Sequence, residues 1–152
     1  MIMVFYLLFT YDHLTCRPMA FTFINPESLG VPRGYSNGAL IEAGGRLLFI
    51  AGQVGWNEEQ KIVSDDFVEQ FDTALANVLA VVKEAGGGPS NIARLVVYVT
   101  TKSEYRAQTG VIGERYRKRM GKHFPAMTLV EVTSLLDDAA KVEIEGVAVL
   151  SS

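Results

Sequence analysis

The stretch Phe-Pro-Ala-Met-Thr-Leu-Val-Glu-Val, residues 124–132, is a short β-rich run that enters through a proline. Its β-branched residues favour an extended strand, which we place at residues 127–132. A second strand is predicted at residues 142–150, Val-Glu-Ile-Glu-Gly-Val-Ala-Val-Leu, in which acidic and apolar residues alternate. Such alternation is typical of a strand with one buried face and one polar face. The chain therefore closes with two strands linked by residues 133–141.

An amphipathic helix is predicted upstream of these strands. Asp65 and Asp66 supply its N-cap and a negative first turn. The apolar residues that follow recur at i, i+4 and i+7 or i+8, which places them on one helix face. They are Phe67, Phe71, Ala74, Leu75, Val78, Leu79 and Val82. The glycines at 86–88 end this helix, and they are not a phosphate loop because they follow a helix and no Lys-Ser/Thr completes them.

The remaining elements complete an α+β domain. A short strand is predicted at residues 21–23, a buried strand at 92–101, and a second, more polar helix at 102–121. The runs at 39–43 and 46–51 are joined by Gly-Gly, which predicts a β-hairpin. Leaving the short first run aside, the order β-β-α-β-α-β-β predicts a mixed sheet with two helices on one face.

Two of the predicted strands are apolar on both sides. Leu-Leu-Phe-Ile at residues 47–50 and Leu-Val-Val at 95–97 show no polar alternation. Helices on one side of a sheet would leave the other side of these strands in water. We therefore expect other copies of the chain to cover the second face.

The composition is that of one globular domain. The 152 residues are 49% hydrophobic and 20% charged, which disfavours both disorder and a coiled coil. We interpret residues 1–18 as an N-terminal extension and residues 19–152 as the domain, with Met19 as its natural start. The apolar run at residues 1–9 is too short to span a bilayer and lacks the basic flank of a secretory signal.

Charge and cysteine content narrow the range of partners. A net charge of −3 disfavours a general nucleic-acid binder, and we interpret the basic run at residues 115–123 as a solvated helix face. Cys16 is the only cysteine, so no intrachain disulfide forms, which fits a cytoplasmic protein. Since Cys16 has no Cys or His at metal-ligand spacing, no metal site is expected.

Four short segments occur in a specific order between residues 25 and 150. They are Gly34-Tyr35-Ser36, Leu-Phe-Ile-Ala-Gly-Gln at 48–53, the helix at 71–86, and the closing strands with Pro125-Ala126 and Val130-Glu131-Val132. In this order they resemble the RidA family, the YjgF-type reactive intermediate imine/enamine deaminases, which also carry the label endoribonuclease L-PSP. The resemblance covers nearly the whole chain beyond the extension.

The resemblance implies a chorismate mutase-like fold and a homotrimer whose sheets form a central barrel, with ligand clefts between subunits. It also implies hydrolysis of imines or enamines to 2-oxo acids and ammonia, as in a 2-iminobutanoate/2-iminopropanoate deaminase. No metal and no organic cofactor are expected for this chemistry. The expected partner is a small-molecule ligand, and neither nucleic acid nor a membrane is expected.

Met127 departs from the family pattern. In active members an arginine directly follows Pro-Ala, where its planar guanidinium pairs with the substrate carboxylate. A thioether has no charge and donates no hydrogen bond. Losing that contact in a desolvated cleft costs ~2–5 kcal/mol. Met127 either packs in the core or lines a less polar pocket, and we favour lining.

The resemblance assigns roles to other residues as well. Glu143 matches the acid that positions water and is the catalytic candidate, while Tyr35 matches a tyrosine of the cleft. Ala51, Gly52 and Leu129 are assigned to the same ligand cleft, although a hydroxyl residue is usual in place of the alanine and a cysteine in place of the leucine. On the residues alone, the tyrosine can equally anchor its loop and the acid can belong to a solvated strand face.

Arg33 is the best candidate for a cation that replaces the missing arginine, since it lies two residues before Tyr35. Three hypotheses follow for the cleft: a deaminase that works without the usual arginine, a trimeric ligand-binding or regulatory protein, and a divergent hydrolase for a less acidic substrate. A ribonuclease is disfavoured by the net charge and by the absence of a His/Lys/Arg catalytic cluster.

Overall fold

The computed structural model describes residues 21–29, 31–41 and 44–151. The predicted extension and Cys16 lie outside the described residues. The strands are β1 (Phe21–Ile24), β2 (Gly38–Ile41), β3 (Arg46–Val54), β4 (Ile92–Val99), β5 (Ala126–Glu131) and β6 (Val142–Leu150). The helices are α1 (Phe67–Glu84), α2 (Lys102–Ala107) and α3 (Thr109–Met120). This is the α+β architecture that the sequence predicted.

The main sheet is mixed and has the strand order β3-β6-β4-β5. β6 pairs antiparallel with β3 and with β4, whereas β4 and β5 run parallel. The parallel register sets Met127 beside Leu95 and Leu129 beside Val97. Because paired residues of neighbouring strands point to the same side, this register decides which face Met127 and Leu129 occupy.

The predicted hairpin of β2 and β3 is wrong. In the described chain β2 pairs with β1, for example Ala39 with Phe23, and β3 pairs with β6 instead. Gly44, in the connection between β2 and β3, has φ +132°, which only glycine adopts without strain. The Gly-Gly signal predicts a turn but does not decide which strand lies beside β2, and β2 pairs along its whole length with β1 while β3 becomes an edge strand of the main sheet beside β6.

The first long helix follows its sequence signals. The side chain of Asp66 accepts a hydrogen bond from the Glu69 N–H at 2.9 Å and so caps α1 as predicted. The helix packs its apolar stripe on the sheet, and Ala74, Val78 and Val82 have no exposed surface. The capping signal and the stripe are both local features, which explains why α1 could be predicted closely.

The second predicted helix is two helices. α2 and α3 are separated at Gln108, whose φ of −119° and ψ of 15° leave the helical region. α3 buries Ile112, Tyr116 and Met120 on the sheet, whereas α2 has no buried residue. A single straight helix over 102–121 is therefore wrong. Within the described residues, no helix combines the length and the apolar character needed to span a membrane.

The two faces of the sheet differ sharply. On β6, Val142 and Ile144 are fully buried beneath the helices, while Glu143 and Glu145 point to the opposite side. On that opposite side, which we call the open face, Leu47 is 59% exposed and Phe49 is 75% exposed. Of the two strands predicted to be apolar on both sides, β3 thus leaves large apolar side chains uncovered in a single copy, whereas Val96 of β4 is buried.

Candidate functional site

A cavity of about 260 Å³ lies between α2, α3, the edge strand β5 and the loop that precedes β2. We call it the Met127 pocket. Its apolar walls are Phe71, Val97, Ile112, Phe124, Met127 and Leu129. Its polar groups come from Arg33, Tyr105, Thr109, Tyr116 and Arg117. The volume lies just below the ~300–1,000 Å³ of ordinary small-molecule sites, so the pocket suits a small organic ligand.

Met127 and Leu129 form the floor of the Met127 pocket. Both side chains lie on the helix side of β5 and pack against the main core, half-buried. Phe124 extends this floor and stacks on Tyr116 with a ring separation of 5.7 Å. Met127 thus does both things considered from the sequence, since it contacts the core and lines a pocket.

Arg33 reaches the Met127 pocket because its loop is docked on the start of β5. The buried Ser36 donates through its N–H to the Pro125 carbonyl at 3.0 Å. Its hydroxyl donates to the Phe124 carbonyl at 2.8 Å. These bonds fix the loop beside the pocket, and Arg33 and Gly34 line its edge. Tyr35 is 41% exposed and is not among the residues that line the pocket.

Arg117 is a pocket residue that the sequence analysis missed. An ideal Cβ at position 113 would lie 3.2 Å from Nη1 of Arg117, so the guanidinium lies back over Gly113 on α3. Residues four apart share a helix face, and a glycine there leaves room for a long side chain. The pairing of Gly113 with Arg117 was the available signal, but the whole basic run was interpreted as a solvated face.

The tyrosines of the Met127 pocket are hydrogen-bond donors and not bases. Burial raises the pKa of Tyr116 far above its ordinary value, and its hydroxyl donates to the His123 carbonyl at 3.0 Å. Burial also raises the pKa of Tyr105, whose ring packs edge-on against Phe67. Both phenols therefore stay protonated at neutral pH.

A second cavity, of about 350 Å³, opens on the other side of the sheet. We call it the Glu143 cavity, and its walls are Gly52, Val54, Trp56, Leu136, Asp137 and Glu143. The carboxylate of Glu143 crosses directly over Gly52, where any Cβ would overlap Oε1. Within the described chain no Lys or Arg lies at ion-pair distance from Glu143.

The open face around Glu143 also carries Tyr98, Arg94 and Glu145. Tyr98 pairs with Glu143 across β4 and β6. The pKa of Tyr98 is raised, first by loss of hydration and then by the Glu145 carboxylate. Ala51 lines a third cavity on this face together with Arg94 and Glu145. Ala51 is thus separate from the cavity that contains Gly52.

The predicted site residues therefore fall into separate groups in one copy. Arg33, Met127 and Leu129 meet in the Met127 pocket on the helix side of the sheet. Gly52 and Glu143 meet in the Glu143 cavity on the open face. One copy alone does not bring the carboxylate to the Met127 pocket, since the sheet lies between them.

The basic run on α3 is not simply solvated. Arg119 forms a two-point ion pair with Asp72 of α1, at 2.5 and 2.6 Å, and Arg115 lies 3.8 Å from the same carboxylate. The hydrogen bond from Arg119 is the main cause that holds the pKa of Asp72 below its ordinary value. The pair ties α3 to α1 and so fixes one wall of the Met127 pocket. Among residues 21–29, 31–41 and 44–151, no three His, Cys, Asp or Glu side chains are grouped to hold a metal.

Comparisons with known proteins agree with this fold. The sequence profile described as Endoribonuclease L-PSP matches residues 27–150. A RutC family protein of Synechocystis is 31% identical over 134 residues, which cover 87% of this chain and 98% of the relative. The human 2-iminobutanoate/2-iminopropanoate deaminase is 27% identical over 116 residues, covering 76% and 79% of the two chains. The crystal structure of YyfB from Yersinia pestis, of the conserved Rid protein family, has 33% identity and a TM-score of 0.75, covering 87% of this chain and 100% of its own.

Proposed function

Because this chain belongs to the Endoribonuclease L-PSP family, the RidA family that the sequence resembles, we propose that it forms a homotrimer with small-molecule clefts between copies. The Met127 pocket of one copy meets the Glu143 cavity of the next copy in each cleft. An imine or enamine is hydrolysed there to a 2-oxo acid and ammonia. The deaminase name of the human relative supports this reaction class.

The open face supports the assembly. Leu47, Phe49 and Val130 are 59%, 75% and 38% exposed there, which is a high cost for a chain that remains alone in water. A second copy packed on this face covers these side chains. It also brings a foreign Met127 pocket towards Glu143, which the sheet keeps apart within one copy.

The observation that carries the reaction is the position of the Glu143 carboxylate. It lies over Gly52 in an open cavity, without an ion-pair partner in the described chain. A carboxylate held in this way can accept a proton from water and return it to a leaving nitrogen. Gly52 is essential to this placement, since a side chain at residue 52 would occupy the space of the carboxylate.

The proposed reaction needs only water and this acid–base group. An enamine first takes a proton at carbon and becomes the iminium ion, which an imine reaches by protonation at nitrogen. Water then attacks the iminium carbon while Glu143 accepts one of the water protons, which gives a neutral carbinolamine. Glu143 returns this proton to nitrogen, the C–N bond breaks as the hydroxyl group loses its proton to solvent, and ammonia and a 2-oxo acid are released. The proton taken up in the first step is thus released in the last, and overall an imine and water give a 2-oxo acid and ammonia.

A second candidate function is ligand binding without hydrolysis. Met127 favours it, because the thioether cannot fix a carboxylate at the position where active members of the family carry arginine. On this hypothesis the clefts bind a small molecule and signal or store it. The two candidates share the cleft and differ only in turnover.

The test is a coupled assay in which an amino-acid oxidase or a threonine dehydratase generates the imine. Semicarbazide then traps the imine that has not been hydrolysed. We expect the wild-type protein to accelerate imine loss, and Glu143→Gln to lower that rate about 10²-fold or more. Met127→Arg is expected to raise the rate on 2-iminobutanoate about tenfold, since it restores a carboxylate contact.

The matched control is Glu84→Gln, which removes the same charge from the exposed last residue of α1, a residue that lines neither cavity. Its rate should equal that of the wild type. A wild-type rate equal to that of buffer alone would eliminate hydrolysis and leave the ligand-binding candidate. An unchanged rate in Glu143→Gln would remove Glu143 from the mechanism.

A further inference from the structure

The Met127 pocket contains positive charge, and its described lining includes no compensating acid. Arg33 and Arg117 both line it, whereas no Asp or Glu among the described residues does. In the described part of the chain neither guanidinium has a carboxylate within ion-pair distance. Two uncompensated guanidinium groups at one small cavity favour an anionic ligand.

Arg117 differs from its neighbours on the same helix. Arg115 and Arg119 face α1 and pair with Asp72. Arg117 lies between them in sequence but on the pocket side, with its guanidinium over Gly113. Of these three arginines, only Arg117 is left available to a ligand.

The rest of the pocket is suited to an apolar group. Met127, Leu129 and Ile112 provide the floor, and none of them can donate or accept a strong hydrogen bond. The Tyr116 hydroxyl is already used by the His123 carbonyl. Tyr105 and Thr109 add two further hydroxyl groups to the lining. A ligand that enters with its anionic group at the rim places most of the remainder of the molecule on carbon and sulfur atoms.

We infer that the ligand of this pocket is a monocarboxylate with a branched or aromatic side chain, held at its carboxylate by Arg117 with Arg33. Its side chain packs on Met127 and Leu129. This inference rests on the proposed function in that it concerns the same cleft. The carboxylate contact has moved from β5 to the helix α3 and the docked loop, and the space on β5 selects for size.

For the proposed reaction this means imines derived from leucine-like or phenylalanine-like amino acids, in preference to those from alanine or 2-aminobutanoate. The matching 2-oxo acids are stable products and serve as binding probes. Each buried methylene tightens binding about threefold to fourfold, so the difference between a two-carbon and an aromatic side chain exceeds about tenfold.

The experiment is calorimetric titration of the whole protein with 2-oxobutanoate, 4-methyl-2-oxopentanoate and phenylpyruvate. We expect phenylpyruvate to bind at least about tenfold tighter than 2-oxobutanoate. Arg117→Gln is expected to weaken phenylpyruvate about tenfold or more, because it removes a charge-assisted contact. Arg33→Gln should also weaken the binding of phenylpyruvate.

Arg115→Gln is the matched control, since it is the same substitution on the same helix, two residues away. It should leave phenylpyruvate binding unchanged. Phenylacetone, which lacks the carboxylate, should bind Arg117→Gln and wild type alike. Equal weakening by Arg115→Gln and Arg117→Gln would overturn the assigned contact, and equal affinity for 2-oxobutanoate and phenylpyruvate would overturn the size preference.

These outcomes are separate from those of the hydrolysis assay. Selective binding of phenylpyruvate through Arg117 without any turnover upholds this inference while hydrolysis fails. Turnover without a preference for large side chains upholds hydrolysis while this inference fails.

Discussion

The two faces of the main sheet carry different kinds of residue. Beneath the helices, Leu95, Val97 and Ile144 are buried with at most 1% exposure. On the open face Phe49 is 75% exposed, and Glu143 lines an open cavity. Since side chains alternate along a strand, successive residues of β6 point alternately into the core beneath the helices and to the open face.

This comparison explains why a methionine fits at position 127. Met127 lies on the helix face, where apolar side chains already surround it, so its thioether packs there without difficulty. In the proposed cleft, the charged groups are Arg33 and Arg117 at the margin of the helix face and Glu143 on the open face.

The largest expected effect is that of Leu95→Ala on the helix face. This change removes a buried side chain and leaves a cavity, so the free energy of unfolding should fall by ~2–5 kcal/mol. Chemical denaturation at a fixed protein concentration measures it. A loss below about 1 kcal/mol would mean that this face can collapse around the cavity.

Phe49→Ser tests the open face through the oligomeric state. We expect the mass in sedimentation analysis to fall from that of a trimer to that of a monomer, because Phe49 is 75% exposed, more than Leu47 or Val130 on the open face. Circular dichroism should remain that of the folded chain, since Phe49 does not contact the core beneath the helices. A wild-type protein that is itself monomeric would refute the proposed assembly.

An intermediate effect is expected for Asp72→Asn, which breaks the ion pair of α1 with α3. The free energy of unfolding of the variant should be lower by about 1 kcal/mol at neutral pH, since the ion pair has two hydrogen bonds and is partly buried. The folded-state pKa of Asp72 is below its ordinary 3.8, so this contribution is complete above pH 3.8. It disappears as the pH falls through the lowered pKa.

Denaturation of wild type and Asp72→Asn across this pH range measures the effect. The difference between the two proteins should stay constant above the ordinary pKa and vanish in stronger acid. A difference that grows with acid would contradict the assigned cause of the shift.

The smallest effect on stability is expected for Gly52→Ala. The new methyl group overlaps the carboxylate of Glu143 and touches its Cγ, and this flexible, partly exposed side chain can swing aside, so the free energy of unfolding should change by less than about 1 kcal/mol. The carboxylate is displaced, and imine hydrolysis should fall about tenfold or more. Unchanged turnover would show that the carboxylate need not lie over residue 52.

Several parts of the fold could be predicted because their signals are local. The N-cap Asp66 and the apolar stripe after it define α1, and the alternation of residues 142–145 defines both faces at the start of β6. The break at Gln108 was missed because neither glycine of α3 lies at the break and the apolar spacing continues across it. The pairing of β2 was missed because a Gly-Gly turn signal does not specify which strand lies beside β2.

The candidate site could be predicted only in part. The sequence identified Met127, Arg33 and Glu143 as residues of interest. Arg117 was hidden in a run of similar charges, since its direction depends on how α3 packs against α1 through Asp72. The resemblance assigned Met127, Arg33 and Glu143 to a cleft between subunits. Within one copy, the register of β4, β5 and β6 places Met127 and Glu143 on opposite faces of the sheet.

The sequence by itself determined the fold class, the helix α1, the strand β6 and the family, because capping, periodicity and residue chemistry act over a few neighbouring positions. The tertiary structure alone decided that Met127 and Glu143 lie on opposite sides of the sheet. It also decided that Arg115 and Arg119 pair with Asp72, while Arg117 has no carboxylate at ion-pair distance among the described residues. Strand register and helix packing join residues that are distant in sequence, and a local pattern does not contain that information.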